Sequence, residues 1–134
     1  LGDVYKRQPG DLVMVKKSAL QFAKDKIFKV ISSLSGGFLK VVMLNDSSTT
    51  YSISNNAIRP IPLTSEILEK NGWKENKGDY INDSYHLHLC GKYDGYSVYK
   101  VVNDYNVVWL TGVRNVSDLQ HLLFGLGINQ EMEV

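Results

Sequence analysis

Cysteine, proline and long apolar runs are scarce in this 134-residue chain. Its single cysteine, Cys90, cannot form an internal disulfide, which is typical of a reducing compartment. No apolar run approaches the roughly 20 residues of a membrane-spanning helix, and these residues contain no basic-then-apolar signal sequence. With 43% hydrophobic and 22% charged residues, the composition is that of an ordinary globular protein. We therefore predict a cytoplasmic protein that does not enter a membrane.

The first eight residues, LGDVYKRQ, need separate treatment because they lack an initiating Met. They resemble the translated read-through of a sequencing adaptor found in metagenome assemblies. We expect residues 1–8 to be an artefact, with the genuine chain first seen near Pro9.

Charge of either sign is almost balanced over the whole chain, with a net charge of +1, but it is distributed unevenly. Residues 1–63 hold an excess of basic side chains, whereas residues 64–134 hold an excess of acidic ones. Four lysines lie close together in the first half: Lys16, Lys17, Lys24 and Lys26. Such a cluster attracts phosphate backbones or an acidic partner, although a solvated rim of a small domain explains it more simply.

The first half consists of short β-prone segments separated by turn residues, among which Gly36-Gly37 predicts a hairpin. The segments are DLVMVK (11–16), IFKVIS (27–32), FLKVVML (38–44), STTYSIS (48–54) and IRPI (58–61). The opening PGDLVMV resembles the Gly-Asp entry into the first strand of KOW and Tudor-type barrels. These features predict an SH3-like small β-barrel over residues 9–63.

The stretch IRPIPLTSEILEKNGW, residues 58–73, is interpreted as a structural joint and not as a catalytic motif. Pro60 and Pro62 favour extended backbone and exclude a helix there. Thr64 or Ser65 can then cap a short helix that ends at Asn71-Gly72. A capped helix start accounts for these residues without any reactive group.

The second half is predicted to be an α+β lobe over residues 64–134. Asp94-Gly95 indicates a two-residue hairpin with Tyr93 opposite Tyr96. This register predicts two faces. Tyr85, Leu87, Leu89, Tyr93, Tyr96, Val98 and Val102 form the core face, and His86, His88, Cys90, Lys92, Ser97, Tyr99 and Val101 form the other. A final amphipathic helix begins with Ser117 as its predicted N-cap. The predicted fold class is thus α+β, with the barrel followed by an antiparallel sheet covered by two helices.

Two segments of this chain, residues 58–73 and a segment near the C-terminus, resemble motifs that occur in the same order in an uncharacterised family of gut-bacterial genomes, phages and mobile elements. Its members carry a Pro-Ile-Pro-Leu-Thr-x-Glu-x-Leu block followed by Gly-Phe, and end with a Val-His-x-Leu-Gln-Asn-Leu-Tyr-Phe-Ala-Leu helix. Here the corresponding segments are IRPIPLTSEILEKNGW and VSDLQHLLFGL. Trp73, Ser117 and His121 replace the usual Phe, His and Asn. The resemblance implies a phage or mobile-element context and assigns no activity.

His86-x-His88-x-Cys90 is the sharpest candidate for chemistry. Two imidazoles and a thiol on one strand face match the spacing of some metal sites, but a structural zinc site needs four ligands and an exposed strand face explains the same alternation. Residues two apart on a strand lie about 7 Å apart, too far for direct proton transfer from Cys90 to His88. We therefore predict no metal, no cofactor, no small-molecule substrate and no enzymatic activity.

The preferred hypothesis is a non-catalytic interaction or assembly module that binds a protein partner or self-associates. Its predicted interaction surface is the half-apolar face of Tyr99, Val101, His86 and His88. Tyr80 and the strand around Trp109 are interpreted as half apolar and exposed in the same way. The alternative is nucleic-acid binding by the first lobe, with the four clustered lysines on phosphates and Phe22 stacking on a base.

Overall fold

The computed structural model describes residues 10–15, 26–44 and 46–134. The chain divides into two compact units, residues 1–61 and residues 62–134. This division lies in the proline-containing joint, where buried Ile61 and Leu63 alternate with exposed Pro60 and Pro62. The alternation is that of extended backbone, as the two prolines predict.

The described part of the first unit is one antiparallel sheet of five strands in the order β4-β3-β2-β1-β5. The strands are β1 (Leu12–Val15), β2 (Ile27–Ser33), β3 (Phe38–Met43), β4 (Asp46–Ser54) and β5 (Ile58–Pro60). Gly36 and Gly37 connect β2 to β3 with φ of 75° and 79°, a conformation that favours glycine over other residues.

The core of the first sheet comes from side chains on one face of its strands. Phe28, at 0% exposure, lies at its centre and meets Tyr51 edge to face, with 6.0 Å between ring centroids. The buried cluster consists of Val13, Phe28, Val30, Leu39, Val41, Ile53 and Ile58. Alternation along β2 and β3 brings these residues together, because every second side chain points to the same face.

The second unit contains an antiparallel meander of order β10-β9-β8-β7-β6 and two helices. Its elements in chain order are α1 (Ser65–Lys70), β6 (Lys74–Asn76), β7 (Asp79–Asn82), β8 (Leu87–Lys92), β9 (Gly95–Asn103), β10 (Asn106–Val113) and α2 (Val116–Gly125). Neither helix is long and apolar enough to cross a bilayer, and the same holds for every helix in the described ranges.

The predicted fold class is wrong. Strands dominate both units, and the described residues form two α-helices, of six and ten residues. The predicted SH3-like barrel is wrong as well, because the first sheet is open: β4 and β5 are its opposite edges, with no closing pairing between them among the described residues. Alternation and turn residues predict where strands begin and end, but closure depends on which distant strands pair.

The observed N-cap agrees with the predicted one at α1 and differs from it at α2. The Thr64 hydroxyl accepts a hydrogen bond from the Ile67 amide (3.2 Å) and caps α1, as predicted. In α2, Asn115 is the cap, accepting from the Asp118 amide at 2.8 Å. The prediction of Ser117 as the cap is wrong, since Ser117 lies inside the helix and is buried. Both residues are good N-caps, so residue type alone does not choose between them.

The hairpin between β8 and β9 is shifted from the predicted register. Lys92 pairs with Gly95, so Tyr93 and Asp94 form the turn, and Tyr93 is fully exposed instead of lying in the core. Val102 was also predicted on the core face, but it lies near the end of β9 and is 60% exposed. A Cβ at Gly95 would overlap the carbonyl oxygen of Val113, so this position requires glycine. The observed register differs from the predicted one by two residues along β9. Because this number is even, the residues that share a face stay the same. The buried face is led by Leu87, Leu89 and Val98, each at 0% exposure.

Candidate functional site

The exposed face of the second sheet carries a row of side chains that crosses all five strands. His88 pairs with Tyr99, and Tyr99 pairs with Trp109. The row continues on the other side of His88 through Ile81 to Lys74. Directly paired residues point to the same face, so these side chains are neighbours.

A second row lies beside the first on the same face. Val101 pairs with Val107, two residues along each strand from Tyr99 and Trp109. We call His88, Tyr99, Val101, Val107 and Trp109 the outer face. Trp109 is 56% exposed and Val107 is 52% exposed, whereas the other three are partly buried. The outer face is therefore apolar, aromatic and open to solvent at its β10 end.

The predicted interaction surface is brought together in part. Tyr99, Val101 and His88 share the outer face, as the predicted faces require. His86 does not belong to a strand: it lies in the turn before β8 with a φ of 56°, and its carbonyl accepts a hydrogen bond from the Val101 amide at 2.8 Å. Strand alternation therefore does not fix the direction of the His86 side chain.

Trp109 and Val107 are the residues that complete the outer face. The sequence indicated that the strand around Trp109 is half apolar and exposed, but it did not place that strand beside Tyr99. The signal was available in Asn103-Asp104, a turn that leads from β9 into β10. Tyr80, grouped with these exposed residues from its sequence, is instead 5% exposed, and its hydroxyl donates to the Ser65 hydroxyl at 2.6 Å.

The Cys90 thiol lies next to Asp79 and is partly buried. Burial raises the pKa of this thiol, and the nearby Asp79 carboxylate raises it further. Asp79 also accepts a hydrogen bond from the Gly91 amide at 3.1 Å, which holds the carboxylate in place. A raised pKa keeps the thiol protonated near neutral pH, so the arrangement disfavours a cysteine nucleophile. Within the described ranges, no group of three or more His, Cys, Asp or Glu lies together to hold a metal ion.

A cavity of about 310 Å³ lies in the second unit, away from the outer face residues. It is lined in part by Trp73, Asn82 and Tyr85, and by the segment 130–133. The Trp73 indole N–H is buried and has no acceptor among the described residues. The charged lining residues, Lys70, Glu131 and Glu133, are exposed, so water solvates their charges. The cavity therefore lacks a buried set of converging ionisable groups of the kind that acid–base chemistry uses.

Most of the predicted nucleic-acid site lies outside the described residues. Lys16, Lys17, Lys24 and Phe22 fall there, as do residues 1–8. Lys26 is described and is exposed just before β2. Nucleic-acid binding through this cluster thus stays a prediction.

Comparison of the chain with protein-family models, with curated proteins and with solved structures finds no match. The resemblance to the gut-bacterial and phage family likewise stays a prediction.

Proposed function

We propose that this protein is a non-catalytic interaction module that binds a partner protein chain on the outer face. The observation that carries this proposal is the cross-strand row of His88, Tyr99 and Trp109, with Val101 and Val107 beside it. We further propose that the protein acts in the cytoplasm, which its lone cysteine supports. The sequence resemblance supports a role in a phage or mobile element.

The chemistry of the outer face resembles that of the centre of a protein–protein interface. Such centres are depleted in charge and enriched in Tyr and Trp, because large rigid side chains bury much area at a small entropy cost. None of the five outer face residues carries a permanent charge. The opposite side of the sheet buries Leu87, Leu89 and Val98 in the core. One side of the sheet thus serves folding and leaves the other for binding.

The non-catalytic part of the proposal rests on the surroundings of the reactive groups. His88 and Cys90 lie two residues apart on β8, which separates them by about 7 Å. Burial and Asp79 disfavour the Cys90 thiolate, which is the reactive form. Neither residue therefore has the activated partner that nucleophilic catalysis needs.

Retention of partner proteins by the immobilised chain tests the proposal. We expect the double variant Tyr99→Ser/Trp109→Ser to lose partners that the unaltered protein retains from a bacterial extract, as identified by mass spectrometry. Loss of a central aromatic side chain costs about 2 kcal/mol or more, which corresponds to a Kd increase of roughly 30-fold.

The matched control is Tyr93→Ser/Tyr105→Ser. These two aromatic residues are almost fully exposed in hairpin turns outside the outer face. The control should retain the same partners, and circular dichroism should show both variants folded. Equal retention by the outer face variant and the unaltered protein would refute the proposal.

A further inference from the structure

We infer that strand β10 pairs edge to edge, antiparallel, with β10 of a second copy of this chain. This inference rests on the proposed function, because it names a second copy as the partner and the β10 end of the outer face as the place where it binds. The pairing would join two five-stranded sheets into one continuous sheet across a two-fold axis.

The four edges of the two described sheets differ in how they are protected against pairing. Short length, charged side chains, proline and β-bulges are the usual protections. β5 has three residues, with Arg59 and Pro60 among them, and Pro60 has no N–H to donate. β6 also has three residues, with Lys74 and Glu75. β4 is longer, but it is polar and begins with Asp46.

β10 lacks the first three of these protections, and its two irregularities leave the stretch from Val107 to Trp109 regular. It has eight residues, Asn106–Val113, with the sequence NVVWLTGV, which contains no charge and no proline. Val107, Val108 and Trp109 are each at least half exposed, and they alternate between the two faces of the sheet. An exposed, uncharged and β-prone edge is a template for another strand.

Charge and symmetry favour a second copy as the occupant. Antiparallel pairing of identical strands obeys a two-fold axis, so both copies use the same residues. An edge without charges places no like charges opposite each other in that arrangement.

The shape of β10 indicates the register. The pairing of β10 with β9 is irregular between Trp109 and Thr111, and again between Asn106 and Val107. The regular stretch between these irregularities is Val107 to Trp109. A two-fold axis at Val108 places Val108 opposite Val108 of the second copy and Val107 opposite Trp109 of the second copy. Pairs of an aromatic and a β-branched residue are favourable across strands.

Sedimentation velocity over a range of concentrations tests this register by charge exchange. We expect the unaltered protein to dimerise and Val108→Lys or Val108→Glu alone to raise the dimer Kd by at least about tenfold, since like charges would meet at the axis. An equal mixture of the two variants should restore the dimer, because Lys then faces Glu. Val102→Lys, at a 60% exposed valine on the interior strand β9, is the matched control and should dimerise normally.

Folding of the variants is checked by thermal melting, because Val108 pairs with Lys100 inside each copy and a lysine there adds repulsion. A second measurement avoids added charge altogether. Val108→Cys in a Cys90→Ser background should form a disulfide-linked dimer on mild oxidation, since facing residues of paired strands lie within disulfide range. Val102→Cys in the same background should form no disulfide-linked dimer under those conditions, because Val102 does not face the second copy.

The outcomes separate this inference from the proposed function. If Val108→Lys dimerises normally and only Tyr99→Ser/Trp109→Ser dissociates, the copies meet through the outer face and edge pairing is overturned while the proposed function stands. If the protein is a monomer at every concentration and retains another protein through the outer face, the inference of a second copy is overturned while the proposed function stands. A monomer that retains nothing overturns both.

Discussion

At the scale of single residues, Cys90 shows how local surroundings set reactivity. Its pKa is raised from an ordinary value of 9.0, first by burial and then by the negative charge of Asp79. Both effects disfavour the thiolate, because a buried negative charge loses solvation and a second negative charge repels it. The lone cysteine is therefore expected to react slowly in the folded protein.

We expect Cys90 to react more slowly with a disulfide reagent in the folded protein than after unfolding, at any pH from 7 to about 9. Asp79→Asn should speed the folded reaction, because it removes the repelling charge and keeps an oxygen for the Gly91 amide. Stopped-flow absorbance in native buffer and in urea measures the rates. Asp83→Asn, in the turn after β7, is the control and should leave the rate unchanged.

The raised pKa also fixes the direction of a pH effect on stability. The folded state holds the Cys90 proton to higher pH than the unfolded state does, so this group's contribution to stability is fully present below pH 9 and declines as pH rises through the folded pKa. Cys90→Ser should remove that decline from urea unfolding curves recorded at alkaline pH. A folded thiol that reacts as fast as the unfolded one would contradict both expectations.

Which side chains are buried was predictable where strand alternation decides it. Leu87, Leu89 and Val98 are buried on the predicted core face. Tyr80 and Tyr93 were misplaced because a tyrosine suits either environment: Tyr80 finds a partner in Ser65 and an edge-to-face contact with Tyr96, whereas Tyr93 falls in the turn. Tertiary partners and the turn register decide such cases, and the local pattern contains neither.

At the scale of elements, side-chain amides hold the segment 130–133 against both helices. Gln120 in α2 donates to the Gln130 carbonyl at 2.9 Å and accepts from the Met132 amide. Asn71, at the end of α1, donates to the Glu133 carbonyl and accepts from its amide, both at 2.7 Å. The two amides thus take the place of a neighbouring β-strand, and Met132 is 6% exposed beneath them.

We expect Gln120→Met to release this segment while both helices stay folded. The substitution keeps the size of the side chain and removes both hydrogen bonds, which should cost about 1–3 kcal/mol because Gln120 is buried and the Met132 amide loses its partner. Hydrogen exchange should speed up at the amides of 130–134 and change little at Leu89 and Val98. Asn129→Met, at the exposed position just before this segment, is the control. Unchanged exchange in Gln120→Met would contradict the expectation.

The limits of the strands, the cap of α1 and the turns were largely predictable because turn and cap residues act on their immediate neighbours. Thr64, the Gly36-Gly37 turn and the two prolines of the joint belong to this class. The open first sheet and the hydrogen bonds from Gln120 and Asn71 to residues 130–133 were not predictable, because each joins residues far apart in sequence. Gln120 and Glu133, for example, reach partners that no local periodicity connects.

At the scale of the whole molecule, the uneven charge is the feature that most affects binding of other molecules. The basic side chains outnumber the acidic ones in residues 1–61, and the reverse holds in residues 62–134. The outer face belongs to the second, acidic unit, whereas the four clustered lysines belong to the first. Interaction through the outer face and nucleic-acid binding through the lysines are therefore separable by experiment.

We expect the four clustered lysines to attract DNA only through their total charge, as exposed and fully solvated lysines do. Any retardation of DNA at low salt should then disappear near physiological salt, because only a few counterions are released. Replacement of Lys16, Lys17, Lys24 and Lys26 by Glu should weaken retardation no more than the same change at Lys70, Lys74, Lys77 and Lys92, which lie in the second unit and are exposed. Gel retardation across a salt series compares the two charge-matched variants. If binding instead persists at physiological salt and only the first variant loses it, the lysines form a nucleic-acid site, since equal charge changes at two places would then have unequal effects.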